Sequence, residues 1–337
     1  MRYIIIGAGA VGGTIGGRLF ESGHEVVLVA RGAHRQALHD HGLKLITPQG
    51  TQTLAVPAAD GPEGVRLRPD DVLVLAVKSQ DTAALVDQWA QRPVEGGGIA
   101  ADLLPLVCAQ NAVENERVAQ RVFRRVYGMC VWLPATHLEP GVVAAHCAPL
   151  SGMLTVGRYP GGTDDTVEQI AKDLGASMFA APVVADVMRW KYGKLLNNLG
   201  NALQAVVGPE ASTEQSVEDL YERARAEGEA AFAAAGIAAT GRAEREAVQQ
   251  DRMRVQPLDG VARQGGSTWQ SLARGTGATE TDYLNGEIAL LGRQFGVPTP
   301  VNDLLQRLAV RFAKERRAPG SMSVAELLAL AATDARP

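Results

Sequence analysis

The sequence is poor in cysteine and aromatic residues and has no excess of positive charge. Its 337 residues include 3 cysteines, 5% are aromatic, and the formal net charge is −4. Without a basic face, the chain is not expected to bind nucleic acid. Cys108, Cys130 and Cys147 lack metal-ligand spacing, so they are predicted to be buried thiols of a reducing compartment. His39 and His41 have no thiol or carboxylate cluster nearby, and no metal site is expected.

Long hydrophobic runs are also missing. No apolar run approaches the roughly 20 residues of a membrane-spanning helix, so no membrane partner is expected. Met1 and Arg2 lead directly into a strand pattern, without the hydrophobic region and small-residue cleavage site of a signal peptide. We therefore expect a cytoplasmic protein, and the chain length favours two domains.

A glycine cluster lies close to the start of the chain. The apolar run over residues 3–6 ends in Gly7-Ala8-Gly9-Ala10-Val11-Gly12, and a helical pattern follows. Gly7 suits a sharp turn, Gly9 leaves room for a pyrophosphate, and Gly12 lets the helix pack closely on the strand. Free N–H groups at the helix start would face the anion. The pattern predicts a dinucleotide site formed by Gly7, Gly9, Ala10, Val11 and Gly12, with a packing turn that binds no ligand as the alternative.

The residue after the second predicted strand indicates which dinucleotide binds. Residues 25–30 form a valine-rich strand pattern, and the chain continues with Arg31. An NAD site usually has an acidic residue there for the ribose 2′-hydroxyl, whereas a guanidinium matches a 2′-phosphate. We therefore expect NADP(H), with a solvated surface residue as the alternative for Arg31. His34 and Arg35 either assist Arg31 or are simply exposed.

Two further polar side chains follow buried strand patterns. Residues 71–77 precede Lys78, and residues 103–108 precede Asn111. Functional groups of open parallel sheets collect at the carboxyl ends of strands, so Lys78 and Asn111 are candidate cofactor-binding residues. Asn111 is also a candidate substrate ligand, with a turn-forming role as its alternative. Because strand and helix patterns alternate, residues 1–183 are predicted to form a Rossmann-type, doubly wound α/β domain that binds NADP.

The pattern changes near residue 184, where strands give way to long helical windows. Residues 184–330 are therefore predicted to form an all-helical substrate and catalytic domain. In one predicted long helix over residues 190–201, Lys194, Asn198 and Asn201 fall on a single stripe. Amides beside buried leucines need polar partners, which favours a substrate or cofactor, with a solvated face as the alternative. A lysine in such a position can donate a proton.

Hydroxyl and acidic residues form a second polar group in this region. Ser267 and Thr268 follow two glycines at a predicted helix start, where hydroxyls can bind a substrate carboxylate or act as N-caps. Glu280 and Asp282 fall in the first turn of another predicted helix. Their spacing does not choose between the two carboxylates.

Together these stretches resemble the ketopantoate reductase (2-dehydropantoate 2-reductase) family over essentially the whole chain. The resemblance rests on the glycine motif with Arg31, on Lys78, on Lys194-x-x-x-Asn198 and on Glu280-x-Asp282-Tyr283-x-Asn285-Gly286. It implies NADPH-dependent reduction of a 2-oxo acid, with Lys194 as the general acid and Glu280 as the second essential group. It also implies that Lys78 lies by the nicotinamide ribose and the substrate. Asn111, Asn198 and Thr268 would contact the substrate.

The chain departs from that family at several positions. Ala112 stands where the family has glycine, and Thr268 replaces a serine. Two asparagines of the family fall at Ala202 and Gly265, and Asn201 lies one place before the first of them. In the family such side chains help to hold the far hydroxyl of ketopantoate. A different 2-oxo acid or carbonyl substrate is therefore the alternative.

The expected reaction combines both predicted domains. Hydride would pass from NADPH to the keto carbon of a small 2-oxo acid in the cleft between them. Lys194 would protonate the alkoxide, and Glu280 would orient Lys194 or tune its proton affinity. A non-catalytic NADPH-binding sensor, which has no need of these two residues, is the rival of another class. An apolar stripe suits either the core or a homodimer face, and consists of Leu304, Leu305, Leu308 and Phe312.

Overall fold

The computed structural model describes residues 1–137, 139–261 and 265–334, and these form two compact units. The first unit consists of Met1–Lys191 together with residues 241–261. The second consists of Tyr192–Thr240 together with residues 265–334. This division differs from the predicted boundary after residue 183, because the start of one helix and a later segment belong to the first unit.

Strands and helices alternate through most of the first unit, whereas the described part of the second is helical. The strands are β1 (Arg2–Ile6), β2 (Glu25–Val29), β3 (Leu43–Thr47), β4 (Gly50–Leu54), β5 (Ala58–Ala59), β6 (Asp71–Leu75), β7 (Leu106–Cys108), β8 (Val126–Trp132), β9 (Ala135–Thr136), β10 (Val142–Ala145), β11 (Cys147–Pro149), β12 (Gly152–Arg158), β13 (Phe179–Ala180) and β14 (Met253–Val255). The α-helices are α1 (Ala10–Glu21), α2 (Gly32–His41), α3 (Thr82–Ala90), α4 (Ala100–Leu103), α5 (Asn115–Gln120), α6 (Asp165–Ala176), α7 (Val187–Asn198), α8 (Gly200–Val207), α9 (Gln215–Ala235), α10 (Arg242–Gln249), α11 (Ser267–Ala273), α12 (Asn285–Phe295), α13 (Pro300–Lys314) and α14 (Val324–Asp334). No helix of the described residues combines the length and the apolar character needed to cross a membrane.

The main sheet of the first unit has eight strands in the order β13-β12-β8-β7-β6-β1-β2-β5. The β8–β12 pair is antiparallel, and the other pairs of this sheet are parallel. Alternate residues of β1 enter two cores, with Tyr3 and Ile5 on one face and Ile4 and Ile6 on the other. The prediction of a doubly wound sheet is confirmed. The strand order reverses at β1, since β2 lies on one side of it and the later β6 on the other.

Two smaller sheets complete the strands, and one of them corrects the prediction that everything after residue 184 is helical. Strands β4, β3, β10 and β9 form one sheet, and β14 pairs antiparallel with β11 in the other. Strand β14 has only three residues, of which Arg254 and Val255 are exposed, so it carries no alternating pattern. Arg189 also binds Glu244 of α10 through two hydrogen bonds of 2.6 Å. These contacts explain why residues 241–261 belong to the first unit.

The second unit is built around its own apolar core. Side chains of α8, α9 and α13 form most of this core. Leu304, Leu305, Leu308 and Phe312 are buried in it, between 0% and 4% exposed. The apolar stripe of α13 therefore serves the core of the unit.

The single helix predicted over residues 190–201 is divided in the structure. Helix α7 ends at Asn198, α8 begins at Gly200, and Leu199 lies between them. The carbonyl of Leu199 accepts a hydrogen bond of 3.2 Å from the buried amide of Asn285. That amide also donates to Oδ1 of Asn302 at 3.0 Å. The contacts that hold the junction come from residues distant in sequence, so helical periodicity could not reveal the break.

A buried ion pair fixes the first part of α7 within the first unit. Lys191 donates to Oε1 of Glu116 on α5, and their side chains are 2% and 0% exposed. Burial raises the pKa of the Glu116 carboxyl, and the ammonium of Lys191 opposes that rise. The second carboxylate oxygen, Oε2, is buried and has no hydrogen-bond partner among the described residues. Desolvation of the two charges therefore offsets much of the stability that the pair contributes. Removing only one partner would destabilise the fold more, because it leaves a buried charge without a counter-charge.

We expect that removing one partner of this pair lowers the free energy of unfolding more than removing both partners does. Glu116→Gln should lower the free energy of unfolding by about 3–5 kcal/mol, because it leaves the Lys191 ammonium buried without a carboxylate. The double variant Glu116→Leu/Lys191→Met should lose less than Glu116→Gln alone, since no buried charge remains. Urea unfolding followed by circular dichroism measures both. A double variant that loses as much stability as Glu116→Gln, or more, would contradict the expectation.

Candidate functional site

The residues predicted to bind the cofactor meet at one edge of the main sheet. The glycine motif follows β1, Arg31 follows β2, Lys78 follows β6, and Asn111 follows β7. These four strands are adjacent and parallel, in the order β7-β6-β1-β2. Their carboxyl ends therefore share an edge, and the glycine motif lies at the strand where the order reverses. That is where open α/β sheets bind ligands.

The glycine motif has the backbone geometry of an anion-binding turn. Gly7 has a φ of 101°, which glycine adopts readily. A Cβ added to Gly12 would lie 2.0 Å from the carbonyl oxygen of Gly7, so only glycine fits there. A Cβ added to Gly9 would meet nothing within 4 Å, which leaves open space on that side. Helix α1 also has no side-chain cap and no acidic residue in its first turn, which suits a pyrophosphate at its N-terminus.

The start of α2 carries two side chains of different character. Arg31 is exposed at the N-cap position, just beyond the end of β2. His34 is half-buried, and its ring nitrogens contact the backbone of Ala8 and Gly141. The suggestion that His34 is simply exposed is therefore wrong. Sequence reasoning missed its contacts because Gly141 lies 107 residues away.

A buried polar network links the loops that follow β6 and β7. The Asn115 amide donates to Oγ of Ser79 at 3.1 Å and to the carbonyl of Asn111 at 2.8 Å. Its Oδ1 accepts from Oγ1 of Thr82 at 2.7 Å, and Gln110 donates to the same hydroxyl at 2.8 Å. The network therefore fixes the backbone beside Lys78 and Asn111. The sequence signals for it were only a polar residue at a helix start and hydroxyls after a strand.

In the turn after β7, an alanine adopts a backbone conformation that glycine favours. Ala112 is buried and has a φ of 65°, in the left-handed region. For an alanine this conformation costs about 1–2 kcal/mol. The departure from the family at this position therefore changes the side chain, while the backbone adopts a conformation that glycine favours.

In the second unit, the polar residues of α7 and α8 are half-buried. Lys194 and Asn198 lie one turn apart on α7, and Asn201 lies on α8. Asn201 donates to Oγ of Ser267 at 3.4 Å. Gly193, beside Lys194, packs so closely that an added Cβ would lie 2.2 Å from Oγ1 of Thr240. The second unit thus brings Asn201 and Ser267 together, and the partial burial argues against a freely solvated stripe.

The two predicted hydroxyls lie at the start of α11, but neither caps that helix. The N-cap is Gly266, whose N–H donates to Oε1 of Gln204 at 2.6 Å. Thr268 is 2% exposed, and its Oγ1 has no hydrogen-bond partner among the described residues. Buried hydroxyls usually have a partner, so an unsatisfied one marks a position where a ligand could bind.

The two candidate carboxylates differ in burial. Glu280 is 3% exposed, whereas Asp282 is exposed and accepts a hydrogen bond of 2.8 Å from Gln306. Both lie at a 3-10 helix, Thr281–Tyr283, rather than in the first turn of an α-helix, because α12 begins only at Asn285. Burial therefore favours Glu280 as the functional carboxylate.

No group of three or more potential ligands for a metal ion occurs among the described residues. Cys108, Cys130 and Cys147 are buried, as predicted. Burial raises the pKa of the Cys108 thiol, so it stays neutral.

Two family models match successive parts of the chain. Ketopantoate reductase PanE/ApbA matches residues 3–161, and its C-terminal counterpart matches residues 186–312. The 2-dehydropantoate 2-reductase of Pyrococcus horikoshii is 25% identical over 331 residues, with 95% of this chain and 100% of that protein covered. The enzyme of the same name from Mesorhizobium japonicum is 28% identical over 348 residues, covering 94% and 99%.

Solved structures show the same overall fold. A PanE/ApbA family ketopantoate reductase from Ralstonia eutropha has a TM-score of 0.77 at 27% identity, covering 94% of this chain and 100% of that one. A ternary structure of D-mandelate dehydrogenase with NADH and anilino(oxo)acetate also has a TM-score of 0.77, at 21% identity, with the same coverage. At that identity, the second likeness concerns the fold alone.

We expect that loss of the Asn115 amide loosens the two loops it joins. Asn115→Leu removes one donor from the Asn111 carbonyl and removes the acceptor of the Thr82 hydroxyl, which still accepts from Gln110. Loss of such buried hydrogen bonds costs about 1–3 kcal/mol each. Hydrogen exchange in residues 79–82 and 110–115 should therefore quicken about tenfold or more, while β1 and β2 stay protected. Gln120→Leu, at an exposed position of the same helix, serves as the control. Equal loss of protection throughout the unit would contradict a local role.

Proposed function

The chain belongs to the ketopantoate reductase family, and from that premise we propose that it reduces a 2-oxo acid to the 2-hydroxy acid with NADPH. Its relatives from Pyrococcus horikoshii and Mesorhizobium japonicum are named for the reduction of 2-dehydropantoate, which is ketopantoate. Reduction of ketopantoate to pantoate, a step of pantothenate biosynthesis, is therefore the first reaction to assign. The enzyme class is that of NADP-dependent oxidoreductases acting on CH–OH groups.

The carboxyl edge of the main sheet is proposed to hold the cofactor. The first turn of α1, with Gly9, Ala10 and Val11, would bind the pyrophosphate, and Arg31 would pair with the 2′-phosphate. Lys78 and Asn111 would lie toward the nicotinamide and the substrate. When bound, NADPH supplies the hydride that reduces the keto carbon.

One observation carries the substrate side of the proposal: Thr268 has a buried hydroxyl without a partner among the described residues. It lies in the same unit as Asn198 and beside Ser267, which Asn201 contacts. These side chains would hold the oxygens of a 2-oxo acid. Lys194 would donate a proton to the oxygen of the former keto group. The buried carboxylate of Glu280 would orient Lys194 or adjust its proton affinity.

A different 2-oxo acid is the second candidate, and the structure offers a specific reason for it. Gly265 has a φ of 66°, and an added Cβ would lie 2.4 Å from the Trp269 ring. Asparagine could not replace it without displacing that ring. Ala202 is 1% exposed and packs in the apolar core. The two positions where the family has asparagine thus offer no amide to a hydroxyl at the far end of the substrate.

The test is loss of NADPH absorbance with a panel of 2-oxo acids that includes ketopantoate. Turnover of ketopantoate supports the family reaction, and turnover of another acid with ketopantoate inert supports the second candidate. NADPH binding without turnover across a broad panel would support a sensor and overturn the proposal. A Lys194→Ala variant with the wild-type rate would rule out Lys194 as the proton donor. The homodimer and the cytoplasmic location expected from the sequence stay predictions.

Substitution of the two carboxylates tests the choice between them with matched changes. Glu280→Gln should lower kcat about 100-fold or more, because it removes the charge that acts on the proton donor. Asp282→Asn should leave kcat within about threefold, since this side chain is exposed and bound to Gln306. Steady-state kinetics with the substrate found in the panel measures both. Equal losses in the two variants would contradict the assignment.

Replacement of Arg31 tests the preference for the 2′-phosphate. Arg31→Ala should raise KM for NADPH about 10- to 100-fold, as expected for loss of charge-assisted hydrogen bonds. KM for NADH should change little, because NADH has no 2′-phosphate. Arg66→Ala is the control, since Arg66 is 86% exposed and its carbonyl binds Arg2 at the other end of β1. A parallel loss for both cofactors would show that Arg31 acts elsewhere.

A further inference from the structure

His34 joins the glycine motif to a distant turn through both ring nitrogens. The N–H of Gly141 donates to Nδ1 at 2.8 Å, and Nε2 lies 2.7 Å from the carbonyl oxygen of Ala8. Because Nδ1 accepts a hydrogen bond, the ring proton must be on Nε2, where it donates to Ala8. The two contacts therefore require one neutral tautomer.

The surroundings of the ring favour that neutral form. Burial lowers the pKa of His34, against the opposing effect of its hydrogen bond to Ala8. The ring of His137 lies beside it, with centroids 4.3 Å apart and planes inclined by 53°. His34 on α2 is thus held between a second ring and two backbone segments, at Ala8 and Gly141.

The Ala8 carbonyl is held in a fixed direction. The N–H groups of Gly7 and Ala8 both donate to the carbonyl of Val29, at 3.0 and 3.1 Å. A Cβ on Gly13 would lie 2.8 Å from the Ala8 carbonyl oxygen, so the loop packs against α1 at that point. In a planar trans peptide the C=O and the next N–H point in opposite directions. The Ala8–Gly9 peptide, held at its carbonyl, therefore turns the Gly9 N–H away from His34.

We propose that His34 is a positioning residue for the dinucleotide: it fixes the Ala8–Gly9 peptide so that the N–H groups of the glycine motif, and not a carbonyl, face the pyrophosphate. The inference rests on the proposed function, because it needs a dinucleotide at the glycine motif. It differs from the role of Arg31 in one respect. The pyrophosphate is common to NADPH and NADH, whereas the 2′-phosphate is not.

Two substitutions each keep a different one of the two hydrogen bonds of His34. His34→Asn keeps an acceptor near the position of Nδ1 but has no donor that reaches Ala8. His34→Gln places an amide nitrogen near the position of Nε2 and keeps that donor. His41→Asn, at an exposed position near the end of the same helix, is the control. Dissociation constants for NADPH and for NADH come from titration calorimetry, and thermal unfolding of each variant is recorded alongside.

His34→Asn should weaken NADPH and NADH equally, by about tenfold, as expected for loss of one backbone-orienting hydrogen bond. His34→Gln should stay within about threefold of the wild type for both. Wild-type affinities in His34→Asn would overturn the inference. So would equal weakening in both variants in step with their thermal stability, which is the mark of a merely structural role. Wild-type binding of NADPH without turnover would overturn the proposed reductase and leave this role of His34 standing, whereas binding of neither dinucleotide would overturn both.

Discussion

The first unit depends on the close approach of α1 to the end of β1. At Gly12 the helix lies so near the strand that a Cβ would be 2.0 Å from the Gly7 carbonyl oxygen. At Gly16 a Cβ would be 2.6 Å from the Leu28 side chain on the next strand. Only backbone fits in this contact, so the turn between strand and helix is short and the N-terminus of the helix sits at the carboxyl edge of the sheet. The position of that edge then decides where the side chains after β2, β6 and β7 can act.

Buried polar contacts fix the backbone around the candidate residues in both units. In the second unit, Glu227 accepts hydrogen bonds from the N–H groups of Val301 and Asn302, at 2.9 and 3.0 Å. Asn302 in turn accepts from Asn285, which holds the Leu199 carbonyl between α7 and α8. The geometric result of these contacts is a fixed junction between the helix with Lys194 and the helix with Asn201.

Local patterns in the sequence were sufficient for the elements whose causes are local. The glycine motif and strands β1, β2 and β6 follow from neighbouring residues, and they lie close to their predicted positions. The strand predicted over residues 103–108 begins only at Leu106, because Leu103 belongs to α4. Strand β14, the break at Leu199 and the contacts of His34 depend on partners far along the chain, at Cys147–Pro149, Asn285 and Gly141. No spacing rule identifies such partners from a single sequence. Spacing alone did not choose between Glu280 and Asp282; the family resemblance pointed to Glu280, and its burial beside the exposed Asp282 agrees with that expectation.

The departures from the family differ in what they change: backbone stability, a buried hydroxyl, or the apolar packing. At Ala112 the backbone keeps the left-handed turn, so the change costs stability without altering the path of the chain. Thr268 keeps a hydroxyl, and that hydroxyl is buried without a partner among the described residues. At Gly265 the Trp269 ring occupies the place of a side chain, and Ala202 is part of the apolar core. In the proposed site, a hydroxyl is therefore kept at Thr268, while neither Gly265 nor Ala202 supplies the amide that the family has there. A substrate whose far end is less polar than that of ketopantoate would lose less on binding here, since it has no hydroxyl to leave unsatisfied.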